Sequence, residues 1–194
     1  RLNYPGVFTG VGGPGLIKED RLTLPGMLRD QGYETALFGK WHIGMSFLDR
    51  NGAVINVKEP PRETSRELKQ KIGLDAVKRI DYSRAIPDAP IHRGFDHFFG
   101  TVCCPTSDWL YAFIDGDRIP TPPTQILDRD KLPKHEWSFD CRIGMVAPDF
   151  NHEEVDMVFL EKSLEFLDTH HQENPRKPFF LFHSLQAVHL PSFP

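Results

Sequence analysis

Between Thr23 and His42 the chain changes its periodicity twice, and that succession restricts the fold more than any other stretch. Thr23 has the side chain of a helix N-cap, Pro25 sits where a first turn tolerates it, Leu24, Met27 and Leu28 share one face, and Gly32 follows as a stop. Tyr33 to Phe38 is then a compact β-prone run that Gly39 ends, and it predicts a buried strand. A helix, a strand and a loop carrying Lys40 and His42 are the parts of an α/β fold, in which sites gather beyond strand ends.

The rest of the chain fits around this unit. Residues 1–20 are punctuated by Gly6, Gly10, Gly12, Gly13, Pro14 and Gly15 and read as loop. Residues 45–92 are polar, with Pro60, Pro61 and a charged stretch from Arg62 to Lys71, and are expected to be a surface insertion with one exposed helix. From Gly94 to Gly116 the aromatics Phe95, Phe98, Phe99, Trp109, Tyr111 and Phe113 belong near a core, and Asp115–Asp117 around Gly116 reads as a hairpin turn. Residues 120–148 resemble a second excursion. Asn151 offers an N-cap, and Val155, Val158, Phe159, Ser163, Phe166 and Leu167 follow at helical spacing. Phe179 to Phe182 predicts a buried central strand, with His189 a few residues past its end.

Composition closes off several classes of function. With 194 residues, 39% of them hydrophobic and 26% charged, the chain has the size and balance of one globular domain or part of one. No run approaches the roughly 18 apolar residues of a membrane span. A net charge of −4 without a Lys/Arg cluster excludes the basic field that nucleic acid requires. Cys103, Cys104 and Cys141 lack Cys-x-x-Cys spacing; they read as small buried thiols, and either of the adjacent pair could bridge to Cys141. The absence of an initiator Met, and an end at Pro194 just after a strand-like run, lead us to expect an internal fragment.

Chemistry concentrates at Lys40 and His42. They place an ammonium and an imidazole at one strand exit, between glycines that let backbone approach a ligand. A tetrahedral oxyanion needs such a cradle: lysine supplies a compact charge, and histidine can give or take a proton near neutral pH. The other histidines have plainer readings. His170 and His171 are expected to be solvated at a helix end, His152 to belong to a charged first turn, and His92 and His97 either to line the cleft or to pack on aromatics.

The segment Gly32-Tyr33-Glu34-Thr35 through Gly39-Lys40-Trp41-His42-Ile43-Gly44 resembles the second signature of the type I sulfatases. Arg93-Gly94-Phe95-Asp96-His97-Phe98-Phe99-Gly100 is similar to that family's Gly-Phe-Asp-x-Phe-x-Gly block, and Pro178-Phe179-Phe180-Leu181 through His189-Leu190-Pro191 to its strand-then-histidine block. The resemblance implies an alkaline-phosphatase-like α/β fold, a parallel or mixed sheet flanked by helices, with residues 1–194 forming an incomplete catalytic domain interrupted at about 45–92 and 120–148. It implies sulfate-ester hydrolysis, with Lys40 on the sulfate oxygens, His42 orienting the nucleophile or helping release sulfate, His189 protonating the leaving oxygen and Ser107 touching substrate. It also implies a formylglycine nucleophile made from a Cys-x-Pro-Ser-Arg motif, and Ca2+. Neither has its residues here: Cys103 and Cys104 precede Pro105-Thr106-Ser107, and Arg1-Leu2 resembles the tail of the missing motif. The expected substrate is a sulfated small molecule or glycan, and relatives are mostly periplasmic, extracellular or lysosomal. A phosphonate or phosphate monoesterase of the same superfamily, and a non-catalytic binder of sulfated glycans, are the alternatives. The fragment alone is expected to be inactive.

Overall fold

The computed structural model describes residues 11, 13–55, 63–132, 141–187 and 189. The expected loop up to Gly10, Pro60, Pro61, and the stretch beyond His189 lie outside them. Helix α1 (Leu24–Asp30) begins as its sequence dictates, with the Thr23 side chain accepting from the Gly26 N–H at 3.1 Å. Strand β1 (Glu34–Lys40) follows, buried along its middle. Then come α2 (Arg66–Lys78), β2 (His97–Thr101), β3 (Leu110–Tyr111), β4 (Ile114–Asp115), β5 (Gln125–Ile126), β6 (Met145–Val146), α3 (Val155–Glu173) and β7 (Phe179–Ser184).

The main sheet has the order β4-β2-β1-β7, with β2 and β7 both parallel to β1 and β4 antiparallel to β2. The mixed α/β sheet expected from sequence is therefore present. Alternation along β1 sends Leu37 into the larger core, with Met45, Phe98 and Tyr111, while Ala36 and Phe38 face α3, where the Phe38 and Phe166 rings lie 5.8 Å apart. Helix α3 buries Val155, Phe159, Ser163, Phe166 and His170, a stripe at spacings of three and four. Asp96 explains why an acidic residue follows Gly94-Phe95: its carboxylate accepts from the Thr35 N–H, and the Thr35 hydroxyl donates to the Gly94 carbonyl, pinning the start of β2 to β1. The Asp115–Arg118 turn closes a hairpin as expected, with reciprocal backbone bonds and Gly116 at φ +60°.

Several expectations are corrected. Strand β7 is the edge of this sheet among the described residues rather than its centre, and Phe179 and Phe182 are 43% and 49% exposed. Residues 45–92 are no mere surface excursion, since Met45, Phe47, Ile55, Ala76, Val77 and Ile86 are buried in the larger core. Asn151 is not the α3 cap: its side chain accepts from Glu153 N–H in a turn, and Glu154 stands at the cap. His170 is buried, held between Glu34 and the Lys177 carbonyl. His152 is buried against the rings of Tyr111 and Phe150, and that burial pulls its imidazole down to about 4. All three cysteines are free and buried, so the bridge to Cys141 is absent.

Candidate active site

Three parallel strand ends build the site. The register Lys40↔Thr101 sets the exits of β1 and β2 side by side, and two further bonds extend the pairing past the strands: Trp41 N–H to Thr101 O at 3.0 Å, and His42 N–H to Val102 O at 2.9 Å. Those bonds hold His42 in the left-handed region at φ 57°, unusual for a residue with a side chain and a mark of a position fixed by its surroundings. Two flanking glycines have conformational reasons to be there. A Cβ on Gly39, at φ +126°, would meet the Ser184 carbonyl oxygen at 1.9 Å; one on Gly44, at φ +83°, would meet the Pro14 carbonyl oxygen at 2.2 Å. The Trp41 indole N–H donates to the Gly44 carbonyl at 2.9 Å and closes the loop.

The third strand end delivers His189. Asp156, in the first turn of α3, accepts from the backbone N–H groups of Gln186 and Ala187 at 2.6 and 2.9 Å. The buried Gln186 side chain donates to the Thr106 hydroxyl and to the His189 carbonyl, at 3.1 and 3.0 Å. The loop after β7 is thus tied both to α3 and to the loop after β2.

The three basic residues meet at one atom. Cys104 Sγ lies 3.5 Å from His189 Nε2, 3.6 Å from His42 Nδ1 and 4.0 Å from Lys40 Nζ. A hydrogen bond from Cys103 draws the Cys104 thiol well below its ordinary value of 9.0, against the opposing effect of burial, and His42 and Lys40 add to the fall. The same pairing pushes Cys103 up. His42 Nε2 is buried without a hydrogen-bond partner among the described residues, a polar atom left for something else to meet. Ser107 contributes through its backbone, donating its N–H to the Cys104 carbonyl at 3.2 Å; the side chain that faces Lys40, His42 and His189 is that of Cys104. His92 pairs with Asp117, and His97 stands with Glu34 at the opposite ends of these strands.

A model of the sulfatase family matches residues 3–194. The chain belongs to the sulfatase family. This sulfatase chain is similar to an N-acetylgalactosamine-6-O-sulfatase of Bacteroides thetaiotaomicron, with 23% identity over 89% of the chain and 33% of the relative. It is similar to arylsulfatase J of Mus musculus at 24% identity over 92% of the chain and 20% of the relative. A human steryl-sulfatase is 51% identical over 41 residues, 21% of this chain and 7% of the relative. A solved Bacteroides thetaiotaomicron structure, described in terms of that bacterium's metabolism of multiple glycosaminoglycans, superposes with a TM-score of 0.61 at 16% identity, covering 96% of this chain and 38% of the other. The fold is therefore the alkaline-phosphatase-like fold of the sulfatases. The chain spans about a third or less of the length of the curated relatives named here.

Sequence reasoning missed Cys104, Gln186 and Asp156. Cys104-Pro105 carries no motif, and only the pairing of β1 with β2 reveals its place. Calcium does not fit this donor set: it takes six to eight oxygen ligands, whereas nitrogen and sulfur converge here. No described helix is long and apolar enough to cross a membrane.

Proposed function

We propose that the protein containing this chain hydrolyses sulfate esters, and that this segment supplies the part of the active site that binds the sulfate and protonates the leaving group. The observation that carries the reading is the convergence of Lys40, His42 and His189 within 4.0 Å of one sulfur. In such a reaction the S–O bond to the alcohol breaks and negative charge builds on the departing oxygen. Lys40 draws charge from the sulfate oxygens. His189, exposed at the mouth, gives its proton to the leaving oxygen, a step worth roughly 10²–10⁴-fold. His42 offers its buried, unpartnered Nε2 to orient the nucleophile. Ser107, on the turn behind Cys104, is assigned to the rim as a substrate contact.

The nucleophile is assigned to a formylglycine outside these residues, as the resemblance implies. Calcium is likewise assigned to residues outside them, and the roles of Lys40, His42 and His189 require no metal ligand from this chain. A fixed cation with two imidazoles suits a sulfated small molecule or a sulfated glycan, in keeping with the N-acetylgalactosamine 6-O-sulfate in the name of the bacterial relative. These residues without the nucleophile are expected to be inactive.

The test is a full-length protein offered aryl sulfate, aryl phosphate and aryl phosphonate in parallel. Preferential turnover of the sulfate, lost in His189→Ala most strongly for esters of poor leaving groups, is expected. Preference for phosphate or phosphonate would overturn the assignment.

A further inference from the structure

The atoms around Cys104 have the spacing of a soft-metal site. In a tetrahedral zinc centre with bonds of about 2.3 Å to sulfur and about 2.0–2.1 Å to nitrogen, the sulfur-to-nitrogen edge is about 3.5–3.6 Å long. Cys104 Sγ already stands 3.5 Å from His189 Nε2 and 3.6 Å from His42 Nδ1. Cys103 supplies a second sulfur, and the ligand atoms of His42, Cys103 and Cys104 all lie within 4.8 Å of one another. A hydrogen-bonded thiolate alone accounts for one such edge. The donors that meet are thus one nitrogen and two sulfurs, and the second imidazole, that of His189, reaches the cluster through Cys104.

The donors are also held in place. His42 N–H is bonded to Val102 O, the Thr101 hydroxyl donates to the Cys103 carbonyl at 2.8 Å, and Gln186 donates to the His189 carbonyl. Little rearrangement is needed to bring His42, Cys103 and Cys104 onto one ion, whereas His189, exposed and in contact with Cys104, moves inward to close the site.

We propose that Cys104, His42 and Cys103 form a binding site for a thiophilic, tetrahedral divalent ion of the zinc class, with His189 turning in from beside Cys104 as the fourth ligand. Thiolate and imidazole select such ions over calcium and magnesium. Binding displaces the thiol protons. Taken with the proposed hydrolysis, the ion would occupy His42 and His189 and block turnover; that consequence rests on the functional reading, whereas the binding does not.

The experiment titrates the metal-stripped full-length protein with Co2+ and then Zn2+. One equivalent of Co2+ should give the intense visible bands of tetrahedral coordination together with a near-ultraviolet thiolate-to-cobalt band, both erased by Zn2+. Cys104→Ser should weaken the thiolate band to that of one sulfur. His189→Ala alters only an exposed side chain, so folding is preserved, and it should weaken binding by about 100-fold, at least the loss typical of an outer-shell partner. Lys40→Ala, which on the functional reading loses turnover, should keep the bands. A spectrum without tetrahedral bands, or bands indifferent to both Cys104→Ser and His189→Ala, would overturn the metal site and leave the hydrolytic reading standing.

Discussion

The Gln186 side-chain amide donates to the main-chain carbonyl of His189 across 3.0 Å, from a position almost wholly removed from solvent. Because the same amide also bonds Thr106, Gln186 fixes the distance between the imidazole of one strand end and the Cys104 turn of another. Gln186→Ala in the full-length protein should lower kcat by up to about 100-fold through misplacement of His189, with a smaller change in KM. Activated aryl sulfates, which need little proton donation, should lose less than alkyl sulfates. A uniform loss across both would mean that Gln186 acts only on folding.

Gly39 is one of the tight points of the frame. A methyl group there meets the Ser184 carbonyl oxygen at 1.9 Å on a backbone at φ +126°, so Gly39→Ala must part β1 from β7 or twist β1. The expected cost exceeds about 3 kcal/mol, seen as a lowered midpoint in urea unfolding.

Asp108 is fully buried, and that burial raises its carboxyl from 3.8 to about 6, although the N–H groups of Trp109 and Val11 partly offset the rise. The folded state therefore holds this proton more tightly than the unfolded chain. Its contribution to stability is fully present below pH 3.8 and is lost as pH rises through about 6, amounting at neutrality to a cost of about 3 kcal/mol. Asp108→Asn keeps an acceptor and removes the charge, so unfolding measured at pH 4 and pH 7 should show a smaller difference than in the parent.

Glu34 works in the opposite sense. Burial pushes its carboxyl up, but hydrogen bonds from His170 and His97, at 2.8 and 2.9 Å, outweigh that and hold it below 4.5. Its stabilisation is present above pH 4.5 and lost as pH falls through the lowered value. Glu34→Ala should cost about 1–3 kcal/mol at neutral pH by leaving the buried His170 without its carboxylate, and should flatten the acid limb of the stability profile.

Elements whose signals are local were legible in the sequence. Thr23 caps α1 through a residue three positions on, and the Val155–Phe166 stripe of α3 needs only a helical period. Lys40 and His42 stood out for the same reason, being two residues apart at one strand exit. What escaped depends on distant pairing. Cys104 gains its place from the register of β2 on β1, and His170 from Glu34, 136 residues away. An apolar run such as Phe179–Phe182 looks alike at the edge and the centre of a sheet, and the polar composition of 45–92 concealed Met45, Phe47 and Ile55, which the core takes in.

The central claim, that the group of bases around Cys104 is the sulfate-handling part of an active site, is tested most directly by steady-state turnover of an aryl sulfate by the full-length protein and its Lys40→Ala and His42→Ala variants. Each variant should lose about 10²–10³-fold in kcat/KM while unfolding at the parent's midpoint. Turnover equal to the parent's in either variant would contradict the account.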